Sequence, residues 1–402
     1  MRWTPVAVFA AAAVAVVTAQ VGGASVRASR TANASPIIIG AASAKSGYMS
    51  QYDIPNVIGA KFAAADINKA GGVLGHPLKV IQVDTKSSQT QAAVAGTQLL
   101  SEGAYALIVS CDFDFGGPAA TVAQQKNHLS FGCAASPKFG PQGIGPDAFT
   151  MESLTNGEGA NAAEWAYEKM HWRHVFILTD DFIDYTKTLS SYFKTRWVQL
   201  AGAKSVVGEA TFNNGDTSVA TQIAKIRQAR PKPDFIFLPS CPPGGATATR
   251  QIRSAGITTP ILGGICMDGD YWLKSIPHLA NFYNNAEVSS YLDDPNPKIN
   301  TFIRKVLKAM GGSSAQPYLA VEGYSEVQAI AIAIKRAHSL DTSKVRAQLE
   351  HFTKVPLLIG PTTFTPTLHG DDHRRYAILV VKNGHHHFVT EWQTQKPPPV
   401  TS

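Results

Sequence analysis

The sequence predicts an α/β protein of two doubly wound parallel-sheet lobes. Three observations predict it. From Pro36 onward, short apolar runs alternate with helical patterns across short links, the pattern of strands buried on both faces and covered by helices. The alternation comes as two successive series of similar length. All four cysteines stand where an apolar run stops: "ALIVSC" ends at Cys111, "HLSFGC" at Cys133, "FIFLPSC" at Cys241 and "PILGGIC" at Cys266.

Each element has its own signal. "PIIIG" reads as the first buried strand. Ile54, Val57, Ile58, Phe62 and Ile67 then recur near helical spacing until Gly71-Gly72 stops them. "LKVIQVD" is a strand, Gln89–Glu102 a helix, "ALIVS" a strand, Gly116–Lys126 a helix and "LSFG" a strand. The second series runs helix Gly159–Lys169, strand "HVFILTD", helix Tyr185–Ala201, strand "KSVVGEA", helix Val219–Ala229, strand "DFIFLPS", helix Ala246–Ala255 and strand "PILGG". "FYNNAEVSSY" follows as a strand. Three helical patterns come next, Lys298–Met310, Leu319–Ala337 and Thr342–His351. "RRYAILVVKNGHHHFVTEW" is two extended runs about Asn383-Gly384, a hairpin signal. The tail, 393–402, is proline-rich and expected to be disordered.

At 402 residues, 44% apolar and 16% charged, the chain has enough apolar side chains for one large core or two medium ones. The net charge of +7 includes Arg2, Arg27 and Arg30 in the first 35 residues. No dense Lys/Arg run follows, which argues against a nucleic-acid partner. Arg2, the apolar run Val6–Val17 and the small residues Val17-Thr18-Ala19 read as a signal peptide over 1–19. Residues 20–35 read as a flexible leader. No cysteine lies near the cleavage point to carry a lipid, and no later stretch is long and apolar enough to span a bilayer. The expectation is an exported protein, periplasmic or extracellular, without stable membrane insertion once the signal is cleaved.

Export makes disulfides the leading reading of four cysteines. Cys111 and Cys133 end consecutive strands of the first series, and Cys241 and Cys266 those of the second. Neighbouring strands lie ~4.8 Å apart, within the Cα range a disulfide needs. The simplest pairing is Cys111–Cys133 and Cys241–Cys266; four buried thiols or a soft-metal site across a cleft are the alternatives.

"SAKSGYMSQYDIPNVIGAKFAAADINKAGGVLGHPLKV" resembles the opening of the periplasmic binding proteins typified by the leucine/isoleucine/valine-binding proteins of ABC transporters. Ser46-Gly47, Gln51-Tyr52, "AAADINKAGGVLG" and a strand ending at Asp84 carry the likeness. It continues through "CAASP", "TDDFIDY" and "VEGYSEVQAIAIAIKRA" to the closing hairpin, and covers Pro36 to Trp392. The resemblance implies a type I periplasmic-binding-protein fold, a Venus flytrap whose lobes are joined by three hinge crossings. These fall near Met151–Asn156, Tyr283–Ser289 and Phe352–Pro356. Lobe one then holds 36–153 and 286–354, and lobe two 154–285 and 355–392. The implied function is capture of a small molecule, amino acid-like or a hydrophobic or aromatic carboxylate or amide, and its delivery to the permease of an ABC importer. The implied protein is a monomer, not an enzyme, and needs no cofactor. A ligand sensor for a membrane receptor is the alternative.

The family's site maps unevenly. Ala134, Ala135 and Ser136 match the stretch that binds an amino acid's polar groups, with Ser136 as an anion donor. Tyr185 matches the tyrosine that reaches in from lobe two, and Ser46 and Tyr48 stand in the first ligand loop. The loop after "LIVS" carries Asp112, Phe113, Asp114 and Phe115 and lacks the usual hydroxyl. Asp181 and Phe182 precede Tyr185, and Ser240 ends a lobe-two strand. The lobe-two acid expected to meet an ammonium is displaced, with Asp268 the nearest candidate after Met267. Phe113, Phe115, Phe182 and Met267 describe an apolar pocket, or simply core packing.

Two signals are set aside. Gly157-Glu158-Gly159-Ala160-Asn161-Ala162, with Asp180 downstream, imitates a dinucleotide fingerprint and raises an NAD-dependent enzyme as a remote alternative, but no strand immediately precedes it. His385-His386-His387 cannot form one metal site, because neighbours on a strand face opposite sides; an exposed turn is expected.

Overall fold

The computed structural model describes residues 1–4, 34–313 and 315–400. Residues 5–19 of the expected signal peptide and 20–33 of the leader lie outside the described residues. Among the described residues no helix is long and apolar enough to cross a membrane. The described residues from Ser35 to Val400 form one compact unit.

The unit begins β1 (Ile37–Ser43), α1 (Ser50–Lys69), β2 (Leu78–Asp84), α2 (Gln89–Ser101), β3 (Ala104–Val109), α3 (Phe113–Gln125), β4 (Leu129–Gly132) and β5 (Ala148–Thr150). It continues α4 (Thr155–Glu164), β6 (Val175–Asp180), α5 (Asp184–Ala201), β7 (Val206–Phe212), α6 (Ala220–Gln228), β8 (Phe235–Leu238), α7 (Gly244–Ser254), β9 (Ile261–Gly263) and β10 (Phe282–Ala286). The last part is α8 (Pro297–Ala309), α9 (Leu319–Ala337), α10 (Thr342–Leu349), β11 (Val355–Leu357), β12 (Gly360–Thr362), β13 (Arg375–Lys382) and β14 (His385–Gln393).

Two main sheets result. Lobe one has the all-parallel order β2-β1-β3-β4-β5. Lobe two has the order β14-β13-β10-β9-β8-β6-β7, parallel except for the terminal hairpin. Helix starts are set by local polar groups. Ser88 caps α2, Asp112 caps α3, Asn296 caps α8 ahead of Pro297, and Asp341 caps α10. α9 returns to lobe one and lies on α1 at glycine contact points. A Cβ on Gly59 would stand 1.8 Å from the Ala320 carbonyl oxygen, and one on Gly323 2.0 Å from that of Asn56.

The chain passes between the sheets three times. The first passage, 151–154, follows β5. The second leaves β10 at Glu287. The third was expected near Phe352–Pro356, but the β11–β12 ribbon intervenes and packs on α9, with the Leu358 and Ile359 amides donating to Gln328 and Ser325. The passage instead runs through 370–374, alongside the first, with the Thr150 amide donating to His369 and the Leu154 amide to Asp371. Buried Arg374 ties all three. Its guanidinium donates to the Met151 carbonyl at 2.6 Å and pairs with Glu287 at 3.5 Å, while Glu287 accepts the Ser153 amide at 2.6 Å.

The dinucleotide-like glycines serve packing. A Cβ on Gly157 would meet the Asp372 carbonyl oxygen, and one on Gly159 the Phe193 amide. The chain end also differs from expectation. Thr394 and the Gln395 amide donate to buried Glu164, and the Pro398 carbonyl accepts from Asn156. In the hairpin, Asn383 and Gly384 adopt the positive φ a two-residue turn needs. The expected exposed histidine turn holds for His385 and His387, whereas His386 is buried; both His385 and His386 bond Asp270.

Candidate functional site

The cysteines pair as the strand order requires. Cys111–Cys133 joins the ends of β3 and β4 across a Cα separation of 4.4 Å, and Cys241–Cys266 joins the loops after β8 and β9 across 5.1 Å. Both staples sit at the carboxyl ends of parallel strands, where open α/β sheets bind ligands. A narrow cavity of about 30 Å³ opens there between the lobes, and all four cysteines line it.

Two buried carboxylates shape its rims. Asp53, in the first turn of α1, accepts the Ala44 amide at 2.6 Å, the Ser110 hydroxyl at 2.8 Å and the Cys111 amide at 2.8 Å. It thereby fixes the ends of β1 and β3 against α1 and presents Tyr48, Met49 and Tyr52 to the cavity. Asp180, ending β6, accepts from Asn214 at 2.6 Å and Ser240 at 2.7 Å. Each end of the cleft is thus held by a satisfied polar network rather than by loop packing alone.

Seven of the residues selected from sequence line the cavity: Tyr48, Asp112, Phe113, Ala134, Ala135, Ser136 and Tyr185. The others sit elsewhere. Ser46 donates to Asp84 on the surface. Asp114 accepts the Asp184 amide. Asp181 is exposed, and Phe182, 41% exposed, packs edge-on against Tyr48 outside the lining. Ser240 is used by Asp180. Met267 is buried in the lobe-two core, and Asp268 turns away to bond the Tyr291 hydroxyl and the Gly269 amide. The short 3₁₀ turn Ile265–Met267 causes this, because it spends the residues that would have carried Asp268 to the cleft.

Sequence reasoning missed Met49, Tyr52, Glu152, Ile183, Ile265, Tyr318 and Leu319. Glu152 had a signal, a lone acid in a passage between lobes. Burial raises the Asp112 carboxyl to about 7 and holds that of Glu152 well above its ordinary range. In lobe two, Glu158 is raised to about 8 by burial; it accepts the Tyr185 hydroxyl at 3.1 Å and the Ile265 amide at 2.7 Å.

The lobes touch directly across the cleft. Asp184, at the start of α5, accepts from Lys138 at 2.5 Å and from the Ser136 hydroxyl at 3.0 Å, while its amide donates to Asp114. Gln316 in the loop before α9 donates to the Cys266 and Asp268 carbonyls at 3.0 and 2.6 Å. These bonds join parts of the chain attached to different sheets, so this is a closed arrangement. The Ser136 hydroxyl expected to serve a ligand anion is already donated to Asp184.

Two doubly wound sheets, three passages and a cavity between stapled strand ends define a two-lobed α/β architecture with a cleft between the lobes. The chain belongs to the periplasmic binding protein family, whose model matches residues 36–385. The Leu/Ile/Val-binding protein of Escherichia coli (strain K12) is 25% identical over 236 residues, 58% of this chain and 63% of that protein, so the match spans less than two thirds of that relative. The leucine-, isoleucine-, valine-, threonine- and alanine-binding protein of Pseudomonas aeruginosa is 25% identical over 328 residues, 80% of this chain and 84% of that protein. Among solved structures, the leucine-binding protein LivK of Thermotoga maritima superposes with a TM-score of 0.75 at 21% identity, covering 89% of this chain and 98% of that one. LivJ of Streptococcus pneumoniae, in complex with isoleucine, gives 0.75 at 21%, covering 89% and 99%. At such identity the superpositions speak for the fold.

Proposed function

We propose that this is an exported, monomeric solute-binding protein that captures one small organic molecule between its lobes and presents it to the permease of an ABC importer, without transforming it. The carrying observation is the closed cleft, which places the cavity at the carboxyl ends of both sheets under bonds that only closure can make. The relatives named for leucine, isoleucine and valine support a solute of amino-acid size. In this reading the solute adds contacts to both lobes and so shifts an open–closed equilibrium toward the closed form, which is the form the permease recognises.

Native mass spectrometry of the gently purified protein tests this. The expected spectrum contains one small molecule per chain, recovered chemically unchanged after incubation with fresh protein. Conversion of that molecule to a product would defeat the reading.

The Lys138–Asp184 pair should act as a latch. Lys138→Met is expected to speed release of the co-purifying solute about twofold to fivefold with little change in association, since a half-exposed pair contributes about 1 kcal/mol or less. Stopped-flow fluorescence reads both rates; unchanged release would remove the latch from the account.

A further inference from the structure

The cleft carries more acid than capture of a zwitterion explains. Among the described residues, Glu152 and Asp112 both line the cavity, and no lysine, arginine or histidine does. Glu152 is 6% exposed, on the first passage between lobes. The charged groups that bear on it most strongly are the carboxylates Glu322, Glu287, Glu158 and Asp112; the buried cation of this cluster, Arg374, is held by Glu287 and also acts on Glu322. Glu322, on α9, is fully buried, with neither carboxyl oxygen hydrogen-bonded. A buried carboxylate in such company either keeps its proton or meets a cation supplied from outside. Tyr185 and Tyr318 stand near enough to feel its charge, and Tyr48 and Tyr52 extend the aromatic wall. Aromatic faces beside an acid attract a positively charged nitrogen.

The other half of a zwitterion finds no comparable provision among the side chains. The Ser136 hydroxyl and the Lys138 ammonium are both spent on Asp184. The Ser110 hydroxyl is spent on Asp53. The loop after β3 then offers Cys111 in a disulfide, Asp112 and Phe113.

We propose that Glu152 is the seat of a cationic nitrogen, and that the cleft prefers an organic amine or amino-acid amide, with no free carboxylate, over the corresponding amino acid. This rests on the solute-binding reading and names the chemical class of its solute.

Calorimetric titration with matched pairs tests it: leucinamide against leucine, phenethylamine against phenylalanine, and 4-methylpentanoate as the carboxylate alone. The expected result is at least tenfold tighter binding of one amine or amide than of its amino-acid partner, at one site per chain, with no binding of the carboxylate. Glu152→Gln should weaken the amine at least tenfold while the thermal midpoint of the solute-free protein does not fall, which separates a charge contact from a folding defect. An amino acid bound as tightly as its amide, a carboxylate bound best, or an amine held equally by Glu152→Gln would each overturn this inference and leave the solute-binding reading standing. Failure of every probe to bind would count against both.

Discussion

Arg374→Met is expected to lower the unfolding free energy by about 3–5 kcal/mol, the usual cost of removing one partner of a buried ion pair. Arg374 is 4% exposed, and its guanidinium touches the Met151 carbonyl, Glu287 and the Thr362 hydroxyl. Without it, Glu287 is left buried beside Glu322 and Glu152, both of which feel the Glu287 charge. The three passages would also lose a side chain that ties them together. The substitution should therefore reach beyond stability and loosen the relation of the lobes. Urea unfolding measures the first effect. A loss under about 1 kcal/mol would mean that the passages are held by backbone pairing alone.

Replacing Cys241 and Cys266 together by alanine is expected to cost about 3 kcal/mol in the chain-entropy account, since the bridge closes a loop of 25 residues. The Cys111–Cys133 bridge, with a separation of 22, should contribute similarly. The lobe-two bridge should matter more for binding. It fixes the loop that carries Ile265 into the cavity, and the Cys266 carbonyl accepts from Gln316 across the cleft. The double variant should therefore bind the co-purifying solute more weakly even at temperatures where it is fully folded. Equal affinity of the folded variant and the parent protein, measured by calorimetry, would reduce the bridge to a staple.

What could be read from the sequence follows from how far apart the deciding residues lie. α9 was expected over Leu319–Ala337 and is found there, because its period needs only local side chains. The cysteine pairing was legible because parallel strands place their ends side by side. β5, β11 and β12, at three residues each, carry no period to detect, so the third passage was placed before the ribbon rather than after it. The cleft was harder. Ser136 was chosen as a ligand donor, but its partner Asp184 is 48 residues away and meets it only through closure. Asp268 was chosen by its distance from a strand end, and a single 3₁₀ turn with a distant tyrosine, Tyr291, redirects it. Glu152 was overlooked because its burial depends on α9 returning across the fold. Local patterns fix elements, whereas the identity of a cleft is settled by which lobe-two groups face which lobe-one groups.

The central claim is closure on a small molecule, and small-angle X-ray scattering tests it most directly. The protein is exhaustively dialysed to remove solute, measured, and measured again with the molecule identified by native mass spectrometry at saturating concentration. The account predicts a larger radius of gyration in the dialysed protein and a return to the compact value on addition. The same radius in both states, with binding confirmed by calorimetry, would contradict it.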